Sequence, residues 1–269
     1  MVLNLTSKPF LDFTLVIPTL GERQEELTQS LERLSGSNFR CTMIFVAPGN
    51  QLNSIGEIVQ LNCPDFDVKY IVENKSSSLS QAINQGLAKV QTEYWNWAGD
   101  DDRVILNEIA EVISKLSSNN NFVMGVGSCR YFASKSNQEI LNRTSKMASS
   151  VIFWGPNVIP QPSVVFRTKI THKLGGVNTK YKLAFDQDLI SKSLKMGKIY
   201  VHNSVTSEYR WSNDTLTSIF RTQSLRESRQ IRMDFASSRS QKALIQFMYP
   251  LVVVLVRLSD LCFKFRFRK

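Results

Sequence analysis

Three consecutive carboxylates, Asp100, Asp101 and Asp102, are the residues of this sequence best suited to chemistry. Adjacent carboxylates repel one another, and nothing structural requires that cost directly after an apolar run. A divalent cation would relieve the repulsion, because Mg²⁺ and Mn²⁺ prefer hard oxygen ligands and often bind one or two carboxylates together with substrate phosphates. A solvated turn that caps the next helix is the alternative, and the triplet taken alone favours neither.

Asp186 and Asp188 form a second acidic group. A spacing of two residues places them on different faces of a helix, so we expect them to have different roles. A carboxylate close to a substrate hydroxyl could act as a general base. The alternative is an acidic helix N-terminus stabilised by the helix dipole, and the pair taken alone favours that alternative.

The elements that must position these acids alternate along the chain. Short apolar runs predict buried strands at 13–17, 43–47, 68–72, 94–98 and 122–126. Helical periodicity predicts helices at 22–34, from Ser78 or Ser80 to 90, and at 105–116. This alternation predicts an α/β fold with a mostly parallel sheet and helices on both faces. Ligands of such sheets bind outside the carboxyl ends of the strands, and the acidic triplet follows strand 94–98 directly.

Residues 130–210 are less regular. Short helices are predicted at 168–174 and 183–196, and glycines end both of them. A long, polar, arginine-rich helix is predicted at 215–238, followed by a strongly apolar one at 243–263.

Charge is concentrated at one end of the chain. The 269 residues have a formal net charge of +10, and residues 220–269 contribute +8 of it with eleven Lys or Arg and three Asp or Glu. A basic tail on a nearly neutral body predicts a local anionic partner, either phosphate groups or a membrane surface. Nucleic acid is disfavoured, because the body has no basic stripe and no nucleic-acid motif.

Cysteine and histidine usage narrows the chemistry further. The four cysteines form no CxxC pair, which predicts free thiols in a reducing compartment. With only His172 and His202 present, a Cys/His zinc site or a histidine-based triad is disfavoured, so carboxylates must do the chemistry. We expect no signal peptide, and no apolar run of the ~20 residues that a membrane-spanning helix needs.

Four segments, in order, resemble the family 2 glycosyltransferases of GT-A type. They are residues 16–23, 79–87, 94–102 and the acceptor-side segment formed by 175–177 and 182–189, which 161–167 also fits. Each motif is weak alone, but four in the right order and spacing are specific. The resemblance covers about residues 12–212 and implies a single Rossmann-like, mostly parallel sheet with flanking helices.

The resemblance implies a domain division and a mechanism. Residues 1–214 would form the glycosyltransferase domain, with a nucleotide-sugar-binding half (12–126) and an acceptor-side half (127–214), and residues 215–269 would form a basic helical tail. The implied reaction is an inverting displacement in which Asp186 is the base and Asp102, with Asp100, holds Mn²⁺ or Mg²⁺. The implied nucleotide-sugar-binding residues are Pro18, Thr19, Glu22, Arg23, Asn84, Asp100 and Asp101, with Asn84 expected to brace the site.

The sequence departs from the family pattern at three places. An acidic residue usually follows the second strand, where this chain has 46–50, VAPGN. The residue before the base is often Glu and is Phe185 here, and no histidine follows Tyr209-Arg210. These departures leave the nucleotide open and sustain an alternative, a catalytically inactive binding or scaffold protein of the same fold. A nucleotidyltransferase is a third interpretation, disfavoured because 18–23 is a poor phosphate loop.

Aromatic residues divide into two groups. Alternation along strand 94–98 places Trp95 and Trp97 on one sheet face and Tyr94 on the other, where we expect them to form core. On the acceptor side, Trp154 and Trp211 are candidates for stacking on the acceptor. The remaining acceptor-side candidates are Gln161 and Asp188.

The tail predicts an interfacial anchor. The segment 243–267 is apolar, interrupted by Pro250, and its last phenylalanines alternate with the cations that continue to Arg268 and Lys269. This pattern is typical of a segment lying in the plane of an anionic membrane leaflet. A helix packed on the catalytic domain, or a dimer contact, is the alternative. We therefore expect a cytoplasmic protein, peripheral at the inner face of the membrane, that uses a glycan or lipid-linked acceptor in polysaccharide, lipopolysaccharide or glycolipid synthesis.

Overall fold

The structure, a computed structural model, describes residues 8–73, 77–133, 136–212 and 215–267. Within these residues, nine strands form one sheet, and ten α-helices surround it. The strands are β1 (Phe10–Pro18), β2 (Arg40–Ala47), β3 (Asp67–Val72), β4 (Tyr94–Trp97), β5 (Arg103–Val104), β6 (Phe122–Ala133), β7 (Ser136–Asn142), β8 (Val164–Arg167) and β9 (Lys198–Arg210). The helices are α1 (Gln24–Ser35), α2 (Leu52–Asn62), α3 (Leu79–Leu87), α4 (Leu106–Ser117), α5 (Ala148–Trp154), α6 (Thr168–Lys173), α7 (Phe185–Met196), α8 (Leu216–Ile219), α9 (Arg221–Phe235) and α10 (Arg239–Arg266).

The sheet has the order β3-β2-β1-β4-β8-β6-β9-β5, with β7 paired to β6. The first four strands are parallel, as the alternation of strands and helices predicts. β8 is antiparallel to both β4 and β6, so β6 runs in the same direction as β4, and β9 is parallel to β6. The predicted α/β class with a mostly parallel sheet is confirmed, and β6 curls the sheet because it pairs with three strands along its length.

Two apolar cores lie on opposite faces of the sheet. Phe13, Leu15 and Ile17 of β1 pack in one core with α1, α2 and α4, whereas Val16 packs in the other with α3, α5, α7 and α9. The same alternation puts Tyr94 in the first core and Trp95 in the second. Burial of each such side chain contributes about 1.5–3 kcal/mol, so the sheet is firmly fixed between its helices.

Glycines allow two close approaches next to the carboxyl end of β1. Gly21 has φ 74°, a backbone conformation that favours glycine, and it turns the chain after β1. In α3, a Cβ on Gly86 would lie 2.4 Å from Val16 Cγ1, so only glycine lets this helix pack so closely on β1. These contacts fix the loop that follows β1.

Several elements differ from the sequence-based expectations. The helix α2 was not predicted, because only Ile55 and Val59 of it are buried and polar residues surround them. The strand β9 was missed because it is largely polar and only partly buried. The single helix expected at 215–238 is divided into α8 and α9 at Phe220.

The helix α10 is longer than predicted. It continues through Pro250 for 28 residues, so the proline does not interrupt the helix as its residue type predicts. By length and composition it is long and apolar enough to cross a membrane, with a mean hydropathy of 1.7 over its most apolar window. The expectation that no segment reaches that length is therefore corrected. Arg268 and Lys269, at the end of the predicted anchor, lie outside the described residues.

One face of α10 packs on the body of the protein. Phe263 contacts Tyr131 with ring centroids 5.2 Å apart, and Phe267 stacks on Trp211 at 5.3 Å. The opposite face carries large exposed apolar side chains at helical spacing, which we call the outer stripe. The outer stripe consists of Leu244, Phe247, Leu251, Val254, Leu255, Leu258, Leu261 and Phe265.

Candidate active site

A cleft of about 720 Å³ opens at the carboxyl ends of β1 and β4. Its volume is in the range of small-molecule sites, and its position is where α/β sheets bind ligands. The sheet edge contributes Pro18, Thr19, Glu22, Arg23, Asp100, Asp101 and Asp102 to its lining. Asn157, Gln161 and Asp186 line the middle of the cleft. The two acidic groups of the sequence therefore face one cavity.

Asp100 is held by the loop after β1. The Thr19 hydroxyl donates to Asp100 Oδ2 over 2.6 Å and accepts from the Gly21 amide over 2.9 Å. The Ser30 hydroxyl donates to the Asp100 carbonyl over 3.1 Å. Burial raises the pKa of Asp100, and the hydrogen bond from Thr19 partly opposes this shift. Thr19 and Asp100 thus form one fixed unit at the edge of the sheet.

Asp101 lies between two arginines. Arg23 Nη1 is 2.7 Å from its carboxylate and Arg210 Nη1 is 3.5 Å from it. Arg210 also pairs with Glu26 at 3.0 Å, and Arg23 approaches Asp100 at 3.5 Å. Since the Arg23 side chain is half exposed at the cleft, its guanidinium can turn from the Asp101 carboxylate and bind a ligand phosphate instead.

Asp102 has an unused oxygen. Its Oδ2 accepts from the Gly99 amide over 3.0 Å, whereas its buried Oδ1 has no hydrogen-bond partner among the described residues. Burial, with the charges of Asp101 and Asp100, raises the pKa of Asp102, and the backbone amides of Gly99 and Arg210 oppose this shift. A free buried carboxylate oxygen next to a second acid fits a divalent cation that takes its other ligands from phosphate and water. The described residues hold no group of three or more His, Cys, Asp or Glu that could bind a metal alone.

Asp186 is the second residue of α7, where helix amides stabilise a negative charge. The Asn157 side-chain amide donates to its Oδ2 over 3.3 Å. Burial nevertheless raises the pKa of Asp186 to about 6, against the opposing effect of the Gln187 and Asp186 backbone amides. A carboxylate of this pKa at a cavity wall suits general base catalysis near neutral pH.

Gln161 connects the two groups of acids. Its side-chain amide donates to Asn96 Oδ1 over 2.9 Å and to the Trp97 carbonyl over 2.7 Å. Asn96 and Trp97 end β4, just before the acidic triplet, so Gln161 fixes the segment 155–162 against that strand. Asn157 belongs to the same segment and is thereby placed at Asp186.

Comparison with known proteins agrees with this geometry. The model of glycosyl transferase family 2 matches residues 14–175, more than half of the chain. The chain belongs to this family. Membership supports glycosyl transfer as its activity. No curated protein matches the chain significantly by sequence.

Solved structures of glycosyltransferases share the GT-A fold of this family 2 chain. TarS of S. aureus, residues 1–349 in complex with UDP-GlcNAc, superposes with a TM-score of 0.62 at 13% identity, covering 90% of this chain and 72% of TarS. The mannosyltransferase PcManGT from Pyrobaculum calidifontis, in complex with GDP-Man and Mn²⁺, gives a TM-score of 0.65 at 14% identity, covering 87% and 68%. At sequence identities this low, the superpositions establish a common fold alone.

Within the family 2 fold, four of the expected site residues lie outside the cleft lining: Asn84, Trp154, Asp188 and Trp211. Asn84 exchanges hydrogen bonds with the Val177 backbone at 2.7 and 2.8 Å, and its role in bracing the site stays a prediction. Gly176, with φ 78°, makes room for this contact, because a Cβ there would lie 2.6 Å from Asn84 Oδ1. Asn84 thus holds α3 to the segment that precedes α7.

The other three have different surroundings from those expected. Asp188 is buried and pairs with Lys192 at 2.6 Å, one helical turn further along α7. Trp211 stacks on Phe263 of α10 and on Phe267 directly after it, so its ring is occupied by the tail. Trp154 is partly exposed at the end of α5. None of the three lines the cavity.

Several lining residues were not found from the sequence. Asn157 lines the cleft from a loop, Arg210 from the end of the polar strand β9 and Arg221 from the start of the polar helix α9, and no pattern in these segments shows which side chains face a cavity. Glu73 lines it as well, and its amide bonds to the Ala47 carbonyl at 2.8 Å. Glu73 therefore brings an acid beside the end of β2, where the family usually has one. An acid directly after the third apolar run was the signal that could have revealed it.

Proposed function

We propose that this protein is an inverting, hexosyl-type glycosyltransferase that moves a sugar from a nucleotide-sugar donor to an acceptor hydroxyl. The observation that carries the proposal is a single cleft that presents the acidic triplet at one side and Asp186 at another. The first group suits a donor diphosphate and the second suits proton removal from an acceptor. The two neighbours described above were solved with UDP-GlcNAc and with GDP-Man, which supports a nucleotide-sugar donor for this chain.

On the donor side, the nucleotide lies along Pro18, Thr19, Glu22 and Arg23. Asp101 faces the ribose or the sugar, and Arg23 is free to turn from it to a phosphate oxygen. Glu73 adds an acid on the nucleoside side of the cleft. Support comes from the presence of all these residues in the cleft lining.

We assign Asp102 and Asp100 to a divalent cation, Mn²⁺ or Mg²⁺. The support is the unpaired, buried Oδ1 of Asp102 and the hard oxygen character of both side chains. Mn²⁺ in the complex of PcManGT is in line with this assignment. When bound, the cation supplies positive charge that neutralises the departing nucleoside diphosphate.

Asp186 is the base of the proposed reaction. Its carboxylate accepts the proton of the acceptor hydroxyl while the hydroxyl oxygen attacks the anomeric carbon and the bond from that carbon to the diphosphate breaks. Attack from the face opposite the leaving group inverts the configuration. Asn157 orients the carboxylate. Of the four acceptor-side candidates that the sequence predicts, Gln161 lines the cleft.

The outer stripe supports a peripheral position at the cytoplasmic face of a membrane. Its apolar side chains flank the basic end of a tail whose last 50 residues carry a net charge of +8. Such a helix binds an anionic leaflet through apolar burial and charge together. A membrane position suits synthesis of cell-surface polysaccharide, lipopolysaccharide or glycolipid.

A catalytically inactive binding protein of the same fold is the second candidate. The observation in its favour is the lack of an acid directly after β2 and of a histidine after Tyr209-Arg210. Turnover separates the two candidates.

The test is release of nucleoside diphosphate from a panel of nucleotide sugars, with Mn²⁺, Mg²⁺ or EDTA, for the full chain with detergent-solubilised glycolipid acceptors. We expect metal-dependent release of nucleoside diphosphate from one donor. Release of pyrophosphate would instead identify a nucleotidyltransferase. Donor binding by calorimetry without any release across the panel would favour the inactive protein.

A further inference from the structure

The cleft extends beyond Asp186 to a wall formed by α8, α9 and α10. This wall combines hydroxyl groups, branched apolar side chains and one guanidinium, that of Arg221. Its hydroxyl groups belong to Thr215, Thr217, Ser224 and Ser228, and its apolar side chains include Val252 and Val256 of α10. A ligand that fits such a wall has a polar or charged part next to an apolar part.

Arg221 is the charged member of the wall. Its Nη2 pairs with Asp260 of α10 at 2.5 Å, and its buried Nε has no hydrogen-bond partner among the described residues. A buried donor of a cation without an acceptor is costly, so this nitrogen is suited to a ligand oxygen. Phosphate fits best, because its oxygens match the planar, multiple donors of a guanidinium.

The helix α9 as a whole is rich in arginine. Arg229 and Arg232 also have buried nitrogens without hydrogen-bond partners among the described residues, and Arg232 is 2% exposed. The two acids of α9 are used elsewhere. Glu227 accepts from the Leu183 and Ala184 amides, and Asp234 accepts from the Tyr181 hydroxyl. The helix therefore has four arginines and two acids that are already bonded, so its net charge is positive.

The apolar part of the wall belongs to the same helix as the outer stripe. Val252 and Val256 line the cleft, whereas Leu251, Val254 and Leu255 are exposed on the other side of α10. The helix thus has one apolar face in the cleft and another on the surface. An apolar chain that leaves the cleft along α10 would reach the surface that we assign to the membrane.

We propose that this wall binds an acceptor whose phosphate group is attached to a long apolar chain. Arg221 binds the phosphate, the hydroxyls of α9 surround it, and Val252 with Val256 contact the first part of the chain. The inference rests on the proposed function, since it names the acceptor class of the same cleft. The phosphate serves recognition, and the attacked hydroxyl lies on the acceptor beyond it.

The donor diphosphate is the other possible source of phosphate at Arg221, and the experiment separates the two. Calorimetry on the full chain, in an uncharged detergent that covers the outer stripe, measures the binding of octyl phosphate, octyl glucoside, inorganic phosphate and a nucleoside diphosphate with Mn²⁺. The variants are Arg221→Gln and Arg226→Gln. Arg226 is the matched control, because it is an exposed arginine of α9 outside the cleft lining.

We expect octyl phosphate to bind at least about tenfold more tightly than octyl glucoside or inorganic phosphate. Arg221→Gln removes this preference, whereas Arg226→Gln keeps it, and nucleoside diphosphate binds equally to all three proteins. The proposal is overturned if octyl phosphate has no advantage, or if both variants lose it equally. It is also overturned if Arg221→Gln weakens the binding of nucleoside diphosphate as much as that of octyl phosphate, because Arg221 then binds the donor.

A second pair of variants covers the case in which Arg221→Gln does not fold. Val256→Asn in the cleft wall should lower the affinity for octyl phosphate about tenfold, while Val254→Asn on the outer stripe should leave this affinity unchanged. Equal affinity of both variants for octyl phosphate would reject the apolar part of the site. If the wild type binds no nucleoside diphosphate, the donor assignment fails, and the octyl phosphate comparison still decides the acceptor site.

Discussion

Asp186 and Asp188 show how two identical side chains acquire different properties two residues apart. Asp188 is buried and forms an ion pair with Lys192, which lies one helical turn further along α7. Asp186 has no cation paired with it in the described structure, lines the cleft and has a pKa raised to about 6 by burial. The environment, and not the residue type, therefore gives Asp186 the properties of a base.

The pH dependence of transfer should follow Asp186. A general base works only when it is ionised, and the pKa of Asp186 lies at about 6. We expect kcat/KM to be constant above that pH and to fall about tenfold per pH unit below it. A pH profile at saturating metal measures this. An activity that stays constant down to pH 5 would contradict the assignment of Asp186 as the base.

Close packing of α3 on β1 positions the loop that follows β1. The helix α3 approaches β1 through Gly86, and Thr19 follows that strand directly. The helix α2 also contains a glycine, Gly56, where an added Cβ would lie 3.8 Å from the nearest side-chain atom, Tyr70 Oη. The two glycines therefore serve different purposes in two otherwise similar helices.

Gly86→Ala should destabilise the protein by about 1–3 kcal/mol, because the new methyl group would overlap Val16. Gly56→Ala is the matched control and should stabilise by about 0.5–1 kcal/mol through helix propensity alone. Urea unfolding of both variants measures the difference in free energy of unfolding. Equal effects of the two substitutions would show that α3 does not pack on β1 as described.

Glu208 of β9 connects four elements through arginines. It pairs with Arg130 at 2.9 Å, Arg33 at 3.3 Å and Arg103 at 3.6 Å, and its side chain is only 7% exposed. Arg130 also pairs with Glu139, which is 56% exposed. The same arginine thus has one buried and one exposed acidic partner.

Glu208→Gln should lower the free energy of unfolding by about 2 kcal/mol or more, since three cations lose their common buried anion. Glu139→Gln should change it by less than about 1 kcal/mol, because solvent screens an exposed pair. Chemical denaturation at low and at high salt measures both effects. A loss at Glu139 as large as that at Glu208 would contradict the described network.

At the scale of the whole molecule, α10 joins the cleft to the surface. Its inner face lines the cavity and packs on Trp211, while its outer stripe is exposed. The two alternatives left open by the sequence, packing on the domain and membrane contact, therefore belong to opposite faces of one helix. Packing of the inner face is observed, and membrane contact of the outer stripe remains a proposal.

Leu251→Gln combined with Leu258→Gln should reduce binding to anionic liposomes at least about tenfold, because two apolar side chains of the outer stripe become polar. Nucleoside diphosphate release with a detergent-solubilised acceptor should be retained. Co-sedimentation with anionic and with neutral liposomes measures the first effect. Unchanged co-sedimentation of the double variant would exclude the outer stripe as the membrane-binding surface.

Local patterns predicted the parts of the site that lie next to buried strands. The triplet at Asp100 follows an apolar run, and the run itself predicted both its strand and its place at the end of the sheet. Patterns could not show that Arg221 and Val256 line the same cavity, because their contact with it depends on how α9 and α10 fold back on the domain. The polar strand β9 was missed for a related reason, since neighbouring strands and not its own apolar side chains hold it in place.

The dependence on tertiary contacts also explains why the acceptor-side tryptophans lie outside the cleft lining. Trp154 and Trp211 lie in irregular segments, and the sequence therefore favours them over the strand tryptophans as candidates for stacking on an acceptor. The residues that reach the cavity from those segments are instead Asn157 and Arg210. Which side of an irregular segment faces a cavity depends on its tertiary contacts, and periodicity carries no information about it.

We expect the acidic triplet to bind the donor and Asp186 to remove the proton of the acceptor hydroxyl. Calorimetric donor affinity and single-turnover transfer, measured together on Asp102→Asn, Asp186→Asn and Asp188→Asn, separate these two roles. Asp102→Asn should lose metal-dependent donor binding. Asp186→Asn should bind donor as the wild type does but transfer about 10²–10⁴-fold more slowly, and folded Asp188→Asn should retain both functions. Transfer by Asp186→Asn at the wild-type rate would exclude Asp186 as the base.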